Sequence, residues 1–105
     1  MQVTFDTIAR EWRCKWSEAD EKASLSAAQT ELEKHLITLK NRGGKVQRVV
    51  CGSCHDFKVI TSLPAAAFGE WEGAQFAPEA EFLAALKEIA GISVVETQTV
   101  TLMEM

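Results

Sequence analysis

The hydrophobic period of this chain changes again and again along its length, and that succession constrains the fold more than any other feature. Near the start, Val3, Phe5 and Thr7 alternate with polar neighbours, and so do Trp12, Cys14 and Trp16. A period of two marks a strand over about 2–16. The two sets differ in phase, three odd positions against three even ones, so a bulge near Ile8-Ala9-Arg10 is expected. Leu25, Ala28, Leu32, Leu36 and Leu39 then recur at steps of three and four, one face of a helix. Ser26 with Gln29 fits a capping box, Ser17 and Ser24 being earlier candidate starts. Lys40 and Arg42 suit the helix C-terminus, and Gly43-Gly44 supplies a left-handed stop.

Two strands follow, from Lys45 to about Cys51 and from His55 to Leu63, with Gly52-Ser53 as the hairpin turn and Pro64 as the terminator. Residues 64–77 read as a long connection carrying Phe68, Trp71 and Phe76, aromatics that cap the edge of the core. A second helix begins at Pro78, buries Phe82, Leu83, Leu86, Ile89 and Ala90, and ends at Gly91. A last strand, rich in Val and Thr, runs from Ile92 or Ser93 to about Met103. The order β-α-β-β-α-β is that of a ferredoxin-like α+β domain with a four-stranded antiparallel sheet, here one domain over 1–105.

Right-handed crossovers place both helices on one sheet face. Yet apolar residues fall on both strand faces: Ile60 opposes Phe57 and Val59, Val49 and Cys51 oppose Val46 and Val50, and Val94 adjoins Val95. A bare apolar sheet face is normally covered. The expected cover is a second copy, a two-fold homodimer with sheet facing sheet.

Composition narrows the partners. With 47% hydrophobic residues in 105, the chain can bury a core unaided. The net charge is −4, and Lys and Arg are interleaved with acids, so neither nucleic acid nor a membrane surface is an expected partner. The N-terminus has no basic and apolar leader pattern, and three cysteines argue against a disulfide framework, so a cytoplasmic home is expected.

The segment Val50-Cys51-Gly52-Ser53-Cys54-His55-Asp56-Phe57-Lys58-Val59 resembles the hairpin of the effector-binding domain of leucine-responsive (Lrp/AsnC-type) regulators. Phe82-Leu83-Ala84-Ala85-Leu86, Ala90-Gly91-Ile92 and Val95-Glu96-Thr97 with Val100 are similar to that domain's ending. The turn from Gly52 to Asp56 is one residue longer than in the family, and no helix-turn-helix precedes the first strand, so DNA binding does not carry over. The resemblance, over about half the chain, implies a dimeric α+β barrel. That architecture also serves small cofactor-free monooxygenases, isomerases and ligand sensors.

Cys51-Gly52-Ser53-Cys54-His55 matches C-x-x-C-H, the pattern of c-type haem attachment. It lacks a placed distal ligand, because the methionines stand only at 1, 103 and 105, and no cofactor is expected. The same cysteines, Cys51 and Cys54, are candidates for a redox dithiol, although β-branched Val59, Ile60 and Thr61 signal a strand rather than the helix N-terminus of thioredoxin-like sites. A structural zinc site would need a fourth ligand besides Cys51, Cys54 and His55, with Cys14 and His35 the remaining soft side chains, and no metal is expected.

A ligand pocket between sheet and long connection would take its walls from Trp12 and Trp71 and its polar groups from His55, Asp56 and Glu96, with Gly52 in the adjoining turn. The leading expectation is a homodimeric small-molecule-binding or sensing module. The alternatives are a cofactor-independent oxygenase or isomerase, distinguished by a desolvated histidine or carboxylate in the pocket, and a protein-interaction subunit.

Overall fold

The computed structural model describes residues 3–105. Along the chain run β1 (Thr7–Lys15), α1 (Ala19–Lys40), β2 (Lys45–Val50), β3 (Asp56–Pro64), α2 (Ala65–Gly73), α3 (Glu79–Lys87) and β4 (Ser93–Leu102). The strands form one antiparallel sheet in the order β2-β3-β1-β4. The chain leaves β1, crosses through α1 and returns as β2 two positions away, and β3 fills the gap. The split βαβ arrangement expected from the periodicities is therefore present, with one helix more than expected.

Strand β1 begins at Thr7, so Val3 and Phe5 lie outside the sheet and stay exposed, and Gln2 lies outside the described residues. The phase conflict between 3-5-7 and 12-14-16 disappears with them, and β1 pairs with β3 without interruption. The bulge lies on another strand: Arg13 pairs with Glu96 and Lys15 with Ser93, which leaves one extra residue at Val94-Val95. Val94 takes a left-handed backbone, φ 50°, unusual for a β-branched side chain. The adjacent valines of β4 thus record a bulge, not two apolar faces.

Helix α1 starts earlier than Ser26. Its entry is held by Ser17 and Ser24: the Ser17 amide donates to Ser24 Oγ (2.9 Å), and the Ala19 amide donates to Ser17 Oγ (3.1 Å). Asp20, Glu21 and Lys22 wind left-handed before regular turns begin. Ala28, Leu32 and Leu39 are buried, as their spacing requires. Gly43 closes the helix at φ 83°. A Cβ on Gly44 would stand 3.1 Å from the Ser62 carbonyl oxygen, so the stop also needs a bare backbone.

The connection expected at 64–77 is mostly helix. Ala65-Ala66-Ala67 are strong helix formers, and Phe68 and Trp71, three apart, point into the core. Helix α3 buries Phe82 and Leu86 and ends at Lys87, four residues before the left-handed Gly91.

All three helices lie on one face. Trp12, Cys14, Trp16, Phe57, Val59 and Leu63 meet Ala28, Leu32, Leu39, Phe68, Trp71, Phe82 and Leu86 in one core. The opposite face differs from expectation. Its register places Ala9, Glu11, Arg13 and Lys15 beside Asp56, Lys58, Ile60 and Ser62, with Glu96, Gln98, Val100 and Leu102 on the far side. Val46, Val50, Phe57 and Val59 all belong to the helix side, which leaves Val49 of the edge strand β2 and Ile60 of β3 on the other. The helix-free face is mostly charged towards the β2–β3 hairpin, where Val49 is the exception, and more apolar from Ile60 towards Val100 and Leu102.

Candidate functional site

A groove of about 390 Å³ opens between α1 and the outer strands, lined by Leu25, Ser26, Gln29, Arg48, Val50 and Phe57. Its position follows from the edge strand. Val46, Arg48 and Val50 share the phase that points toward the helices, but β2 has no further strand beyond it and α1 covers it only in part. Arg48 is a guanidinium in an otherwise apolar phase. Its Nη1 donates to Gln29 Oε1 at 2.6 Å, and Gln29 Nε2 donates to Glu33 Oε1 at 3.0 Å. Phe57 is buried at the floor, and Leu25 forms part of the helical wall. The groove thus has an apolar body and a cation with an amide at its mouth, the usual composition of a small-molecule site.

The β2–β3 turn lies at the end of this groove, since Val50 and Phe57 line it and residues 51–56 connect them. The turn is longer than Gly52-Ser53: the Cys51 amide donates to the Asp56 carbonyl (3.0 Å), and His55, not glycine, takes the left-handed position at φ 60°. The structure joins Cys51 to Cys54 in a disulfide, so two of the three cysteines pair. The His55 ring stands edge-on to Trp16 with centroids 4.7 Å apart, and its Nε2 lies 3.2 Å from Glu18 Oε1.

Asp56 faces the helix-free side. Lys15 Nζ meets its Oδ1 at 2.5 Å, with Arg13 at 3.8 Å and Lys58 at 3.9 Å. The Lys15 hydrogen bond holds the carboxyl below its ordinary value of 3.8, and the charges of Lys15, Lys58 and Arg13 add to that against a smaller opposing effect of burial. Glu96 is exposed on the same face, opposite Arg13. Glu11, at the centre of this face, is only 7% exposed; Gln98 donates to its Oε2 at 3.1 Å, while its Oε1 lies 3.7 Å from Arg13 Nη1 and accepts no hydrogen bond among the described residues.

Trp12 and Trp71 lie elsewhere, deep in the helix-covered core with ring centroids 6.2 Å apart. Trp12 Nε1 donates to Glu79 Oε1 at 2.7 Å, and the same carboxylate pairs with Arg10 Nε at 2.8 Å. Arg10 also stacks over Phe76 and donates to Thr97 and Thr99. Trp71 Nε1 donates to the Ala77 carbonyl at 2.9 Å. This region is packed with rings, and none of the described cavities opens into it.

The sequence-derived residues therefore divide into three places. Cys51, Gly52, Cys54 and His55 form the turn beside the groove; Asp56 and Glu96 flank Arg13 on the helix-free face; Trp12 and Trp71 sit in the core. Sequence reasoning passed over Arg48 and Arg10. Both carried a signal, a charged residue in the inward phase of an apolar strand. His35 is half-buried against Phe82 on α1, away from the cysteine turn.

No protein-family model matches the chain, and no curated protein matches it. Solved structures do. Rv0793 from Mycobacterium tuberculosis superposes with a TM-score of 0.60 at 12% identity, covering 94% of this chain and 97% of that one. SnoaB from Streptomyces nogalater, a cofactor-independent oxygenase, gives a TM-score of 0.62 at 13% identity over 95% and 96% of the two chains. The class that fold and similarity define is the ferredoxin-like α+β domain shared with these proteins. No helix of the described residues is long and apolar enough to cross a membrane.

Proposed function

We propose that this protein is a small-molecule-binding module whose ligand lies in the α1–β2–β3 groove. The ligand class is an apolar body carrying one anionic or strongly accepting group. The observation that carries this reading is Arg48, a guanidinium at the mouth of a groove walled by Leu25, Val50 and Phe57. Only part of its fork is engaged by Gln29, so donors remain for a carboxylate, sulfonate or carbonyl. The resemblance to a regulator's effector-binding domain supports sensing as the use of such binding.

A second copy on the helix-free face belongs to the same reading. Two features support it: Glu11 Oε1, which has Arg13 Nη1 at 3.7 Å but accepts no hydrogen bond among the described residues, and the apolar residues Ile60, Val100 and Leu102 on that face. Towards the hairpin, Arg13, Lys15 and Lys58 balance Glu11, Asp56 and Glu96, so that a two-fold related copy can offer each carboxylate a cation.

The probe is 1-anilinonaphthalene-8-sulfonate, an apolar anion. Saturable binding to the folded protein is expected, weakened about tenfold by Arg48→Ala, the scale of one lost charged hydrogen bond. Leu25→Trp, which fills the groove, should abolish it. Equal binding by wild type and both variants would overturn the proposal.

A second reading, a cofactor-independent oxygenase, draws support from the fold shared with SnoaB. Against it, the residues that line the groove include no carboxylate and no imidazole to take a proton from substrate. Oxygen uptake with a fused-ring phenol such as 1-naphthol, dependent on an open groove, would favour the enzyme.

A further inference from the structure

The three cysteines stand in unequal surroundings. Cys14 is buried on the helix-covered face, and burial first, then the nearby Asp56 charge, pushes its thiol up to about 11. Such a thiol is inert at neutral pH. Cys51 and Cys54 lie on the surface turn, with Cα atoms 5.6 Å apart, within the range that a disulfide bridges.

The ends of this turn are pinned without help from sulfur. Val50 pairs with Phe57 in the ladder, and the Cys51 amide donates to the Asp56 carbonyl at 3.0 Å. One backbone can therefore hold both the dithiol and the disulfide.

The polar groups around the two sulfurs differ. Cys51 Sγ receives the Cys54 amide at 3.2 Å and faces Ser53 Oγ at 3.6 Å. These hydrogens suit a sulfur that carries negative charge. Cys54 Sγ instead faces Asp56 Oδ2 at 3.4 Å, an anion that disfavours a thiolate there and keeps Cys54 the protonated partner. Lys15 Nζ ties this corner together, donating to the Cys54 carbonyl at 2.9 Å and pairing with Asp56.

We propose that Cys51 and Cys54 form a thiol–disulfide exchange site for low-molecular-weight thiols and disulfides, with Cys51 the attacking and Cys54 the resolving residue. In the first step Cys51 thiolate attacks one sulfur of a small disulfide. A Cys51–S–S–R bond forms, the substrate's S–S bond breaks, and one RS⁻ leaves. In the second, Cys54 gives up its proton to solvent, and its thiolate attacks Cys51 Sγ. The internal disulfide forms, the mixed disulfide breaks, and a second RS⁻ leaves; the two RS⁻ take up the two protons released by the cysteines. The cysteine pair loses two electrons and the small disulfide gains two. The site stands independently of the groove reading.

Full-length reduced protein with oxidised glutathione is the test, read by intact mass after acid quench. Wild type should pass to the internal disulfide and return to the dithiol under excess reduced glutathione. Cys54→Ser should trap one glutathionyl group at Cys51 about tenfold faster than Cys51→Ser traps one at Cys54. Asp56→Asn, which removes the anion beside Cys54, should speed resolution of the mixed disulfide, a readout that a purely structural aspartate would not move. Resistance of Cys14 to alkylation until denaturant is added certifies that each variant is folded. Equal trapping rates in the two serine variants, or an internal disulfide that excess reduced glutathione leaves intact, would overturn the proposal.

Discussion

The two faces of the sheet use the same period of two to opposite ends. On the helix-covered face the alternate positions Trp12, Cys14, Trp16 and Phe57, Val59, Leu63 are apolar, broken in β3 only by the buried Thr61, and three helices close over them. On the other, the intervening positions are Glu11, Arg13, Lys15 and Asp56, Lys58, with Ile60 and Ala9 among them. Burial of apolar area on the first face drives folding. The second contributes paired charges in partial contact with water, individually worth little. The contrast teaches where to look for chemistry. An interruption of the apolar phase by a charged residue, Arg48 in β2 or Arg10 in β1, marks polar function within the covered face. An interruption of the charged phase by Ile60 marks only packing.

The largest expected effect lies in the covered core. Phe82→Ala and Trp71→Ala should each cost about 3–5 kcal/mol in urea denaturation, against about 1 kcal/mol for Ile60→Ala in a solitary protomer. An Ile60→Ala cost as large as that of Phe82→Ala would break the comparison and place a firm cover on the helix-free face. Next comes the polar anchor. Glu79→Ala strips the acceptor from both Arg10 and Trp12 Nε1 and should cost about 2 kcal/mol, with Glu79→Gln milder because an oxygen remains for the indole.

Asp56→Asn sharpens the other side through its pH dependence. Lys15 lowers the folded carboxyl below 3.8, so the stabilisation is complete above the unfolded carboxyl's range and is lost as pH falls through the folded value. The variant should therefore lower Tm at neutral pH and converge on wild type in strong acid; a gap that persists in acid would contradict the charge assignment. The smallest effect belongs to the bulge. Val94→Gly removes a side chain from a left-handed position that is half exposed and should raise stability by about 0.5 kcal/mol.

Much of this architecture was legible in the sequence. Period and terminators placed four strands and two helices, because Trp12-Cys14-Trp16 and Leu25-Ala28-Leu32-Leu39 hold their phases and Gly43, Pro64 and Pro78 punctuate them. Helix α2 was read as a connection because nine residues give too few turns for a stripe to stand out from its aromatics. The second face was overread rather than misphased. Val49 and Ile60 do stand opposite Val50, Phe57 and Val59, but the residues beside them are Arg13, Lys15, Asp56 and Lys58, and the Val94-Val95 pair is a bulge. The groove was least visible. Leu25, Gln29, Arg48 and Phe57 come from three elements, and only the placement of α1 over an edge strand assembles them. The cysteine turn needed no such assembly, since its residues are consecutive.

Amide chemical-shift mapping of 1-anilinonaphthalene-8-sulfonate on the labelled protein tests the assignment of binding to the covered face most directly. Shifts centred on Leu25, Gln29, Arg48, Val50 and Phe57 are expected, with Arg48→Ala removing them. Shifts centred instead on Ile60, Val100 and Leu102 would place the apolar site on the helix-free side and contradict the account.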